Sequence, residues 1–501
     1  MKKIISILAF TSLLCCSCDY LDVVPEGKAT EEDIWKTTEQ ADKFRYYLQT
    51  YMPNLIGYDW SPDQFAGDDF ITGARGTTYY FSSKSLLYNE ETSSNTYFGR
   101  WEPSSVSGGT NYDIYRGIRY CYYMLDNVYK VPVISPENAD RYAGEAWFLI
   151  GYYHQCLLEY YGPVIVVKKF IPIDAPEEEI FVPRTPYDDC VKFIADCYDK
   201  AAGLLPETVV PAELGMPTKM AALSYKARLL LYAASPLYNG ADIYKGQMKN
   251  MNGDYLFPQQ EDPEKWQKAA DAAWDVIQMN KYSLIEDKSI VANGTTITDE
   301  DAKFLNAMKS YELVWQNDGT WSSETIWGWW WRTSNKYSNA TTGYDYMGGV
   351  GGTMIPALPP NFGFYAGFGG TAPSLKLADS YPMWSTGRYP VKGYEGRNDM
   401  SKPIVDPLSG YKTDGFTEGY KQYVDPLYPE WRPAIKAHNT CIDRDPRFYA
   451  TMVPNGFYWP HQGKNKLFTC FNSTSATSPW SASSNCIRVG YAFRRAYPAG
   501  L

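Results

Sequence analysis

The chain has 501 residues, of which 45% are hydrophobic and 21% charged, a balance typical of a globular protein with a large buried core. It carries 57 acidic and 47 basic residues, a net charge of −10, and no basic cluster stands out, which argues against nucleic acid and other polyanions as ligands. Aromatic residues reach 16%, with 44 Tyr and 16 Trp, and both side chains suit wet binding surfaces as well as cores because they join an apolar ring to a polar tip.

The N-terminus has the features of a bacterial export signal. Two lysines precede an apolar run at positions 4–14, which is too short to span a bilayer of roughly 30 Å as a helix. A small serine precedes Cys18, and cleavage between them would leave an N-terminal cysteine for lipid attachment. We therefore predict a lipoprotein signal peptide over residues 1–17 and a lipid anchor on Cys18. Cys16, with a leucine three residues before it, is the alternative acceptor, and a plain secretory signal is the alternative interpretation.

Residues up to about 310 are mostly helical in pattern. Thr30, followed by three acidic residues, is typical of a helix start, and Thr185 followed by proline is typical of another. Gly162, also followed by proline, ends a helix. The spacing of apolar residues predicts helices at 30–51, 112–129, 138–161, 185–205, 218–234 and 264–279.

Small residues on the apolar stripes of the last two predicted helices indicate close helix packing. They are Ala222, Ala227, Ala269, Ala270 and Ala273. Together with aromatic residues at similar spacing, they favour antiparallel helical hairpins stacked as in tetratricopeptide repeats. The sequence thus predicts a mainly α fold, with a tetratricopeptide-like scaffold at 30–310 and a large loop-rich, aromatic-rich ligand-binding portion at 311–501 with short helices at most.

The aromatic residues after position 315 lie among many glycines and few charges. Trp327, Trp329 and Trp331 occupy every second position, as do the side chains on the core-facing side of a strand. In the other interpretation, some of these rings form an exposed platform on which the apolar face of a sugar can stack. Trp101 and Trp321 lie among Gly, Ser and Thr residues, which favours the platform for these two.

Residues with catalytic or metal-binding chemistry are sparse. The chain has three histidines, none at metal-ligand spacing from another, and His154 falls within an apolar helical pattern typical of a core residue. Two carboxylate pairs, Asp68 with Asp69 and Asp443 with Asp445, leave a surface glycoside hydrolase open as an alternative. Asp445 followed by proline is better explained as a helix start.

Seven cysteines follow Cys18, and no CxxC pair occurs among them, so we expect no zinc site. Four of them occur in apolar helical patterns that predict buried thiols: Cys121, Cys156, Cys190 and Cys197. Cys470 and Cys486 flank a loop rich in Ser and Thr, and in an oxidising compartment they can either pair or remain separate.

Short motifs along nearly the whole chain resemble those of SusD/RagB-type outer-membrane lipoproteins of Bacteroidetes, in the family's order. They are CDYLDVVP at 18–25, IYRGI at 114–118, GEAWFL at 144–149, YGPV at 161–164, RTPY at 184–187, AALSYKAR at 221–228, YSL at 282–284 and DPRFYAT at 445–451. The chain departs from the family pattern at Ile150 and Gly151, where an arginine is usual. The segment GYAFRR at 490–495 resembles one that the family follows with further helices, so we expect either a shortened member or missing C-terminal helices.

This resemblance implies a binding protein without catalytic activity or cofactor. It implies a scaffold of four helical hairpins that caps a TonB-dependent outer-membrane transporter, with an oligosaccharide as the usual ligand and a peptide in some members. We predict aromatic stacking and hydrogen bonding to an oligosaccharide from Tyr79, Tyr80, Trp101, Trp321, Trp329, Arg75 and Asn95.

Overall fold

A computed structural model describes residues 31–53, 69–72, 113–314, 322–328, 371–396, 399–423, 432–458 and 491–493, together with positions 67, 89, 90, 92, 338, 339, 344 and 345. Helices dominate the first part of this described chain, and two-stranded sheets dominate the last part. The predicted signal peptide and the segment that follows position 493 lie outside the described residues.

Ten α-helices occur in the described residues. Eight belong to the first part: α1 (Thr38–Leu48), α2 (Ile114–Asn127), α3 (Pro136–Tyr161), α4 (Glu177–Ile180), α5 (Tyr187–Leu204), α6 (Lys219–Ala234), α7 (Glu264–Gln278) and α8 (Asp299–Leu313). Two short helices follow, α9 (Leu375–Asp379) and α10 (Pro446–Thr451). The predicted mainly α fold is confirmed.

The long helices pack on one another in sequence. Helix α2 packs on α3, α3 on α5, α5 on α6, and α6 on α7, which is consistent with stacked tetratricopeptide-like hairpins. Most side chains of the central helix α3 are buried. Small residues set the spacing, since a Cβ atom at Gly151 of α3 would lie 3.0 Å from the ring of Tyr198 in α5.

Helix starts follow the predicted signals in some places and depart from them in others. The hydroxyl of Thr218 accepts a hydrogen bond from the backbone N–H of Ala221 and caps α6, and Gly162, with a φ of 70°, ends α3. The prediction of one helix from Thr30 is wrong: residues 31–35 form a 3₁₀ turn, and α1 begins later with Thr37 as its cap. The predicted cap Thr185 does not cap α5, because its hydroxyl accepts a hydrogen bond from Val166 N instead.

Helix α7 is confirmed as a helix, but its predicted apolar stripe does not face the scaffold. Of the small residues predicted on this stripe, Ala270 and Ala273 are exposed and Ala269 is buried. Trp266 and Ile277, which lie at the same helical spacing, are exposed as well. The reason is the position of α7 on the outside of the stack, where one narrow face meets α6.

The described chain also contains antiparallel pairs of strands, and all of these strands except β1 lie in its second half. They are β1 (Phe70–Thr72) with β4 (Thr371–Pro373), β2 (Ser338–Asn339) with β3 (Tyr344–Asp345), β5 (Val391–Gly396) with β6 (Asp399–Val405), β7 (Phe416–Lys421) with β8 (Ala434–His438), and β9 (Met452–Pro454) with β10 (Tyr491–Phe493). The expectation of short helices at most in this region is therefore wrong.

A second hydrophobic cluster joins these strands to α8. It includes Phe304 and Met308 of α8 together with Phe448 of α10. Beside it lies the fully buried Arg444, whose guanidinium donates hydrogen bonds to the carbonyls of Thr440 (2.9 Å) and Tyr381 (3.0 Å). Arg444 thus ties the turn before α10 to the segment after α9.

Candidate functional site

The residues predicted to bind the ligand lie outside the described residues: Tyr79, Tyr80, Trp101, Trp321, Trp329, Arg75 and Asn95. The predicted lipid acceptor Cys18, the carboxylate Asp68 and the pair Cys470 and Cys486 lie outside them as well. All of these assignments remain predictions from the sequence.

The described stretch between Trp321 and Trp329 is fixed to the helical scaffold. The indole of Trp327 lies 5.1 Å from the ring of Phe148 and 5.6 Å from that of Tyr225, between centroids, and its Nε1 donates a 3.0 Å hydrogen bond to the carbonyl of Gly215. Trp327 therefore has the core position that the first interpretation gives it. Residues 322–328 do not form a strand. Within the described part of the chain, a strand therefore does not explain the tryptophans at every second position of 327–331.

His154 is a core residue, as predicted. Its ring is fully buried, with Nδ1 2.8 Å from the carbonyl of Ile150, and Nε2 accepts a 3.1 Å hydrogen bond from the backbone N–H of Val167. Because Nε2 accepts, the imidazole is neutral and carries its proton on Nδ1. Burial lowers the pKa of His154 to about 4.

The carboxylates Asp443 and Asp445 have structural partners. As predicted, Asp445 caps α10, accepting a 2.8 Å hydrogen bond from the backbone N–H of Arg447. Asp443 adopts a φ of 56° and accepts a 3.1 Å hydrogen bond from the backbone N–H of Ser385. Each carboxylate therefore holds a turn of the backbone.

The four cysteines predicted as buried thiols are buried. Burial raises the pKa of Cys121 well above its ordinary value and that of Cys190 to about 11, so these thiols stay protonated at neutral pH. Within the described ranges, no three His, Cys, Asp or Glu side chains lie close enough together to hold a metal ion. No helix in the part of the chain that the structure describes is both long and apolar enough to cross a membrane.

Sequence reasoning missed a cleft of about 430 Å³ beside β5 and β6. Its walls are formed by Arg388, Tyr389, Val391, Lys392 and Asp406. The adjacent arginine and tyrosine are visible in the sequence, but nothing there shows that an aspartate 18 positions later lies against them.

Comparisons with known proteins agree with this fold. The SusD-like family model, described as "Starch-binding associating with outer membrane", matches residues 19–231. No curated protein matches the chain. The solved structure of BT4246 superposes with a TM-score of 0.66 at 21% identity, covering 93% of this chain and 75% of that protein.

Two proteins of Bacteroides fragilis have the same fold. The SusD-like protein BF3747 superposes with a TM-score of 0.60 at 16% identity, covering 93% of this chain and 70% of its own. The SusD-like carbohydrate binding protein BF0978 gives 0.51 at 17% identity, with coverage of 92% and 68%. The chain thus has the fold of SusD-like proteins. Its residues 19–231 are similar to the SusD-like family, which is described as associating with the outer membrane.

Proposed function

We propose that the protein is a surface lipoprotein, anchored through Cys18, that captures oligosaccharides and delivers them to a TonB-dependent transporter. It acts by binding and has no catalytic step of its own. The observation that carries this proposal is the family match over residues 19–231, since the family is described as starch-binding and associated with the outer membrane. The description of BF0978 as a carbohydrate binding protein also supports it.

The aromatic residues of two segments form the proposed binding face. Tyr79, Tyr80 and Trp101 come from one segment, and Trp321 and Trp329 from the other. The second segment supports a neutral ligand, because the 59 residues from 313 to 371 include five charged side chains. Each stacked ring contributes on the order of 1 kcal/mol, by analogy with aromatic pairs, so a site of several rings binds in the micromolar range or more weakly.

Calorimetry on the purified protein tests this function. We expect heat of binding with neutral starch-type oligosaccharides, and little with peptides of equal length. Trp101→Ala and Trp321→Ala should each weaken binding about tenfold, because each removes a stacking surface. Trp274→Ala is the matched control, since this exposed tryptophan lies on the outer helix α7 and should leave affinity unchanged.

Three outcomes would contradict the proposal. Binding of peptides alone would make the protein a peptide-binding member of the family. Glycan binding that survives both tryptophan substitutions would remove the proposed face. Release of new reducing ends, lost on substitution of Asp443 or Asp445, would establish a glycoside hydrolase.

A further inference from the structure

The cleft beside β5 and β6 presents two cations and an aromatic ring to solvent. Tyr389 is 60% exposed, and the side chains of Arg388 and Lys392 are 45% and 59% exposed. The carboxylate of Asp406 lies beneath them, with its side chain 6% exposed. A ligand that enters the cleft therefore meets the positive groups first, although an acidic residue also contributes to the walls.

Asp406 holds the arginine in place through one of its five N–H donors. The Nε of Arg388 donates a 2.8 Å hydrogen bond to Asp406 Oδ2, and the ammonium of Lys392 lies 3.5 Å from Oδ1. The backbone N–H of Leu408 donates a further 3.1 Å hydrogen bond to Asp406. Since Arg388 forms no other side-chain hydrogen bond within the described structure, its two terminal amino groups remain for a ligand.

The backbone around these side chains is firmly held. Arg388 accepts a 2.9 Å hydrogen bond at its carbonyl from Met383 N, and Asp406 N donates a 3.0 Å bond to the carbonyl of Pro390. Met383 and Pro390 are themselves buried. A rigid frame of this kind keeps the donors and the ring in place before a ligand arrives, which limits the entropy lost on binding.

We propose that this cleft binds a uronic acid unit of a glycan. The paired amino groups of Arg388 match the two oxygens of a carboxylate in a bidentate hydrogen bond, and Lys392 adds a second positive charge. The C–H face of the sugar ring stacks on Tyr389. A volume of about 430 Å³ lies within the range of small-molecule sites and accommodates one or two sugar rings.

The negative net charge of the whole chain does not oppose this site. Charges separated by more than about 8–10 Å are largely screened at physiological ionic strength, so the ligand responds to the local arrangement of Arg388, Lys392 and Asp406. These three side chains sum to one positive charge. The site shares no residue with the aromatic face proposed above. A failure of the aromatic face therefore leaves the test of this site unaffected.

Calorimetry with trigalacturonate and with its carboxyl-reduced, neutral counterpart tests the proposal on the full chain in mild detergent. We expect the acid to bind about tenfold more tightly than the neutral form. Lys392→Gln should reduce this difference, because it removes one of the two positive charges that face the carboxylate. Tyr389→Ala should weaken binding of both forms, because the sugar rings of the acidic and the neutral form stack on this tyrosine in the same way.

Lys402→Gln is the matched control, since this lysine is on β6, with its side chain 63% exposed, and does not line the cleft. Thermal melting of each variant shows that the fold is intact. Equal affinity for the acidic and neutral sugars, equal effects of Lys392→Gln and Lys402→Gln, or displacement of trigalacturonate by acetate at matched ionic strength would each overturn the proposal. Loss of neutral glycan binding in Trp101→Ala, by contrast, concerns only the aromatic face.

Discussion

The neutral state of His154 makes the stability of the scaffold depend on pH. Its folded pKa of about 4 lies below the ordinary value of 6.5, so the unfolded chain binds more protons between these two values. The stability contributed by the neutral ring is therefore fully present above pH 6.5 and is lost as the pH falls to about 4. We expect the free energy of unfolding to fall by up to about 3 kcal/mol over this range, measured by urea denaturation.

His154→Gln, which cannot take up a proton, should flatten this dependence. Measurement at pH 7.5 separates the cost of the altered packing from the effect of titration. An unchanged slope in the variant would show that other groups cause the pH dependence.

Arg45 and Glu145 form a buried ion pair whose loss should be costly. Their side chains are 1% and 2% exposed, and Arg45 Nη1 lies 2.9 Å from Glu145 Oε1. Burial raises the pKa of Glu145 to about 7 against the opposing effect of Arg45. Arg45→Met removes the main partner of Glu145 and also the ion pairs of Arg45 with Asp42 and Glu213, so we expect a loss of about 3–5 kcal/mol above pH 7, where Glu145 would have to be charged.

The stability lost in Arg45→Met should depend on pH and on the residue at position 145. Since protonated Glu145 needs no cation, the loss should shrink as the pH falls below the raised pKa. Replacing Glu145 by leucine in the same chain should recover part of it. Lys43→Met is the control, because the pair of Lys43 with Glu39 is exposed to solvent and should contribute little to stability. Equal losses for Arg45→Met and Lys43→Met would contradict the assignment.

At the scale of the elements, glycines set the contact between helices α3 and α5. Gly151→Ala places a methyl group 3.0 Å from the Tyr198 ring, so the helices must shift, and we expect a loss of about 1–3 kcal/mol. Gly203→Ala is the matched control, because it lies in α5 with no atom within 4 Å of the new methyl group. This second change should stabilise the protein by about 0.5–1 kcal/mol. Thermal melting checks both, and stabilisation by both would contradict the close packing.

The helices could be predicted from the sequence because their buried faces repeat with helical spacing and their ends carry caps. The start of helix α8 could also be predicted, because Thr298 and Asp301 form a reciprocal capping box whose residue types and spacing are visible in the sequence. The start of α1 was misplaced because Thr30 and Thr37 both carry capping signals, and the second one caps the helix.

The strand pairs could not be predicted in the same way. Strand β7 is exposed along most of its length, and β5 contains Gly393 and a register shift, so neither shows the alternation of apolar and polar residues that marks a half-buried strand. The same limit applies to the cleft between Arg388 and Asp406. Its walls come from the two ends of the β5–β6 hairpin, 18 positions apart, and no local pattern shows that these ends meet.

At the scale of the whole molecule, the two larger of three hydrophobic clusters in the described residues lie in different parts of the chain. One is centred on helices α1 to α6, and the other joins α8 to the strand-rich part. Trp327 fixes residues 322–328 to the first cluster. This segment lies between Trp321 and Trp329, which are proposed for the ligand face. The helical scaffold could thus be predicted from the sequence, whereas the ligand face and its position on the scaffold remain predictions.

The proposed anchor on Cys18 should also strengthen the proposed complex with a TonB-dependent transporter. Acyl chains confine both proteins to one membrane surface, which raises their effective concentration relative to free solution. We expect the wild-type protein to co-purify with the transporter from membranes in mild detergent, with two copies of each. Cys18→Ala should move to the soluble fraction and co-purify poorly from cells, yet bind again when both purified proteins are mixed at micromolar concentration. Wild-type protein that elutes alone, or Cys18→Ala that stays on membranes lacking the transporter, would contradict the anchored complex.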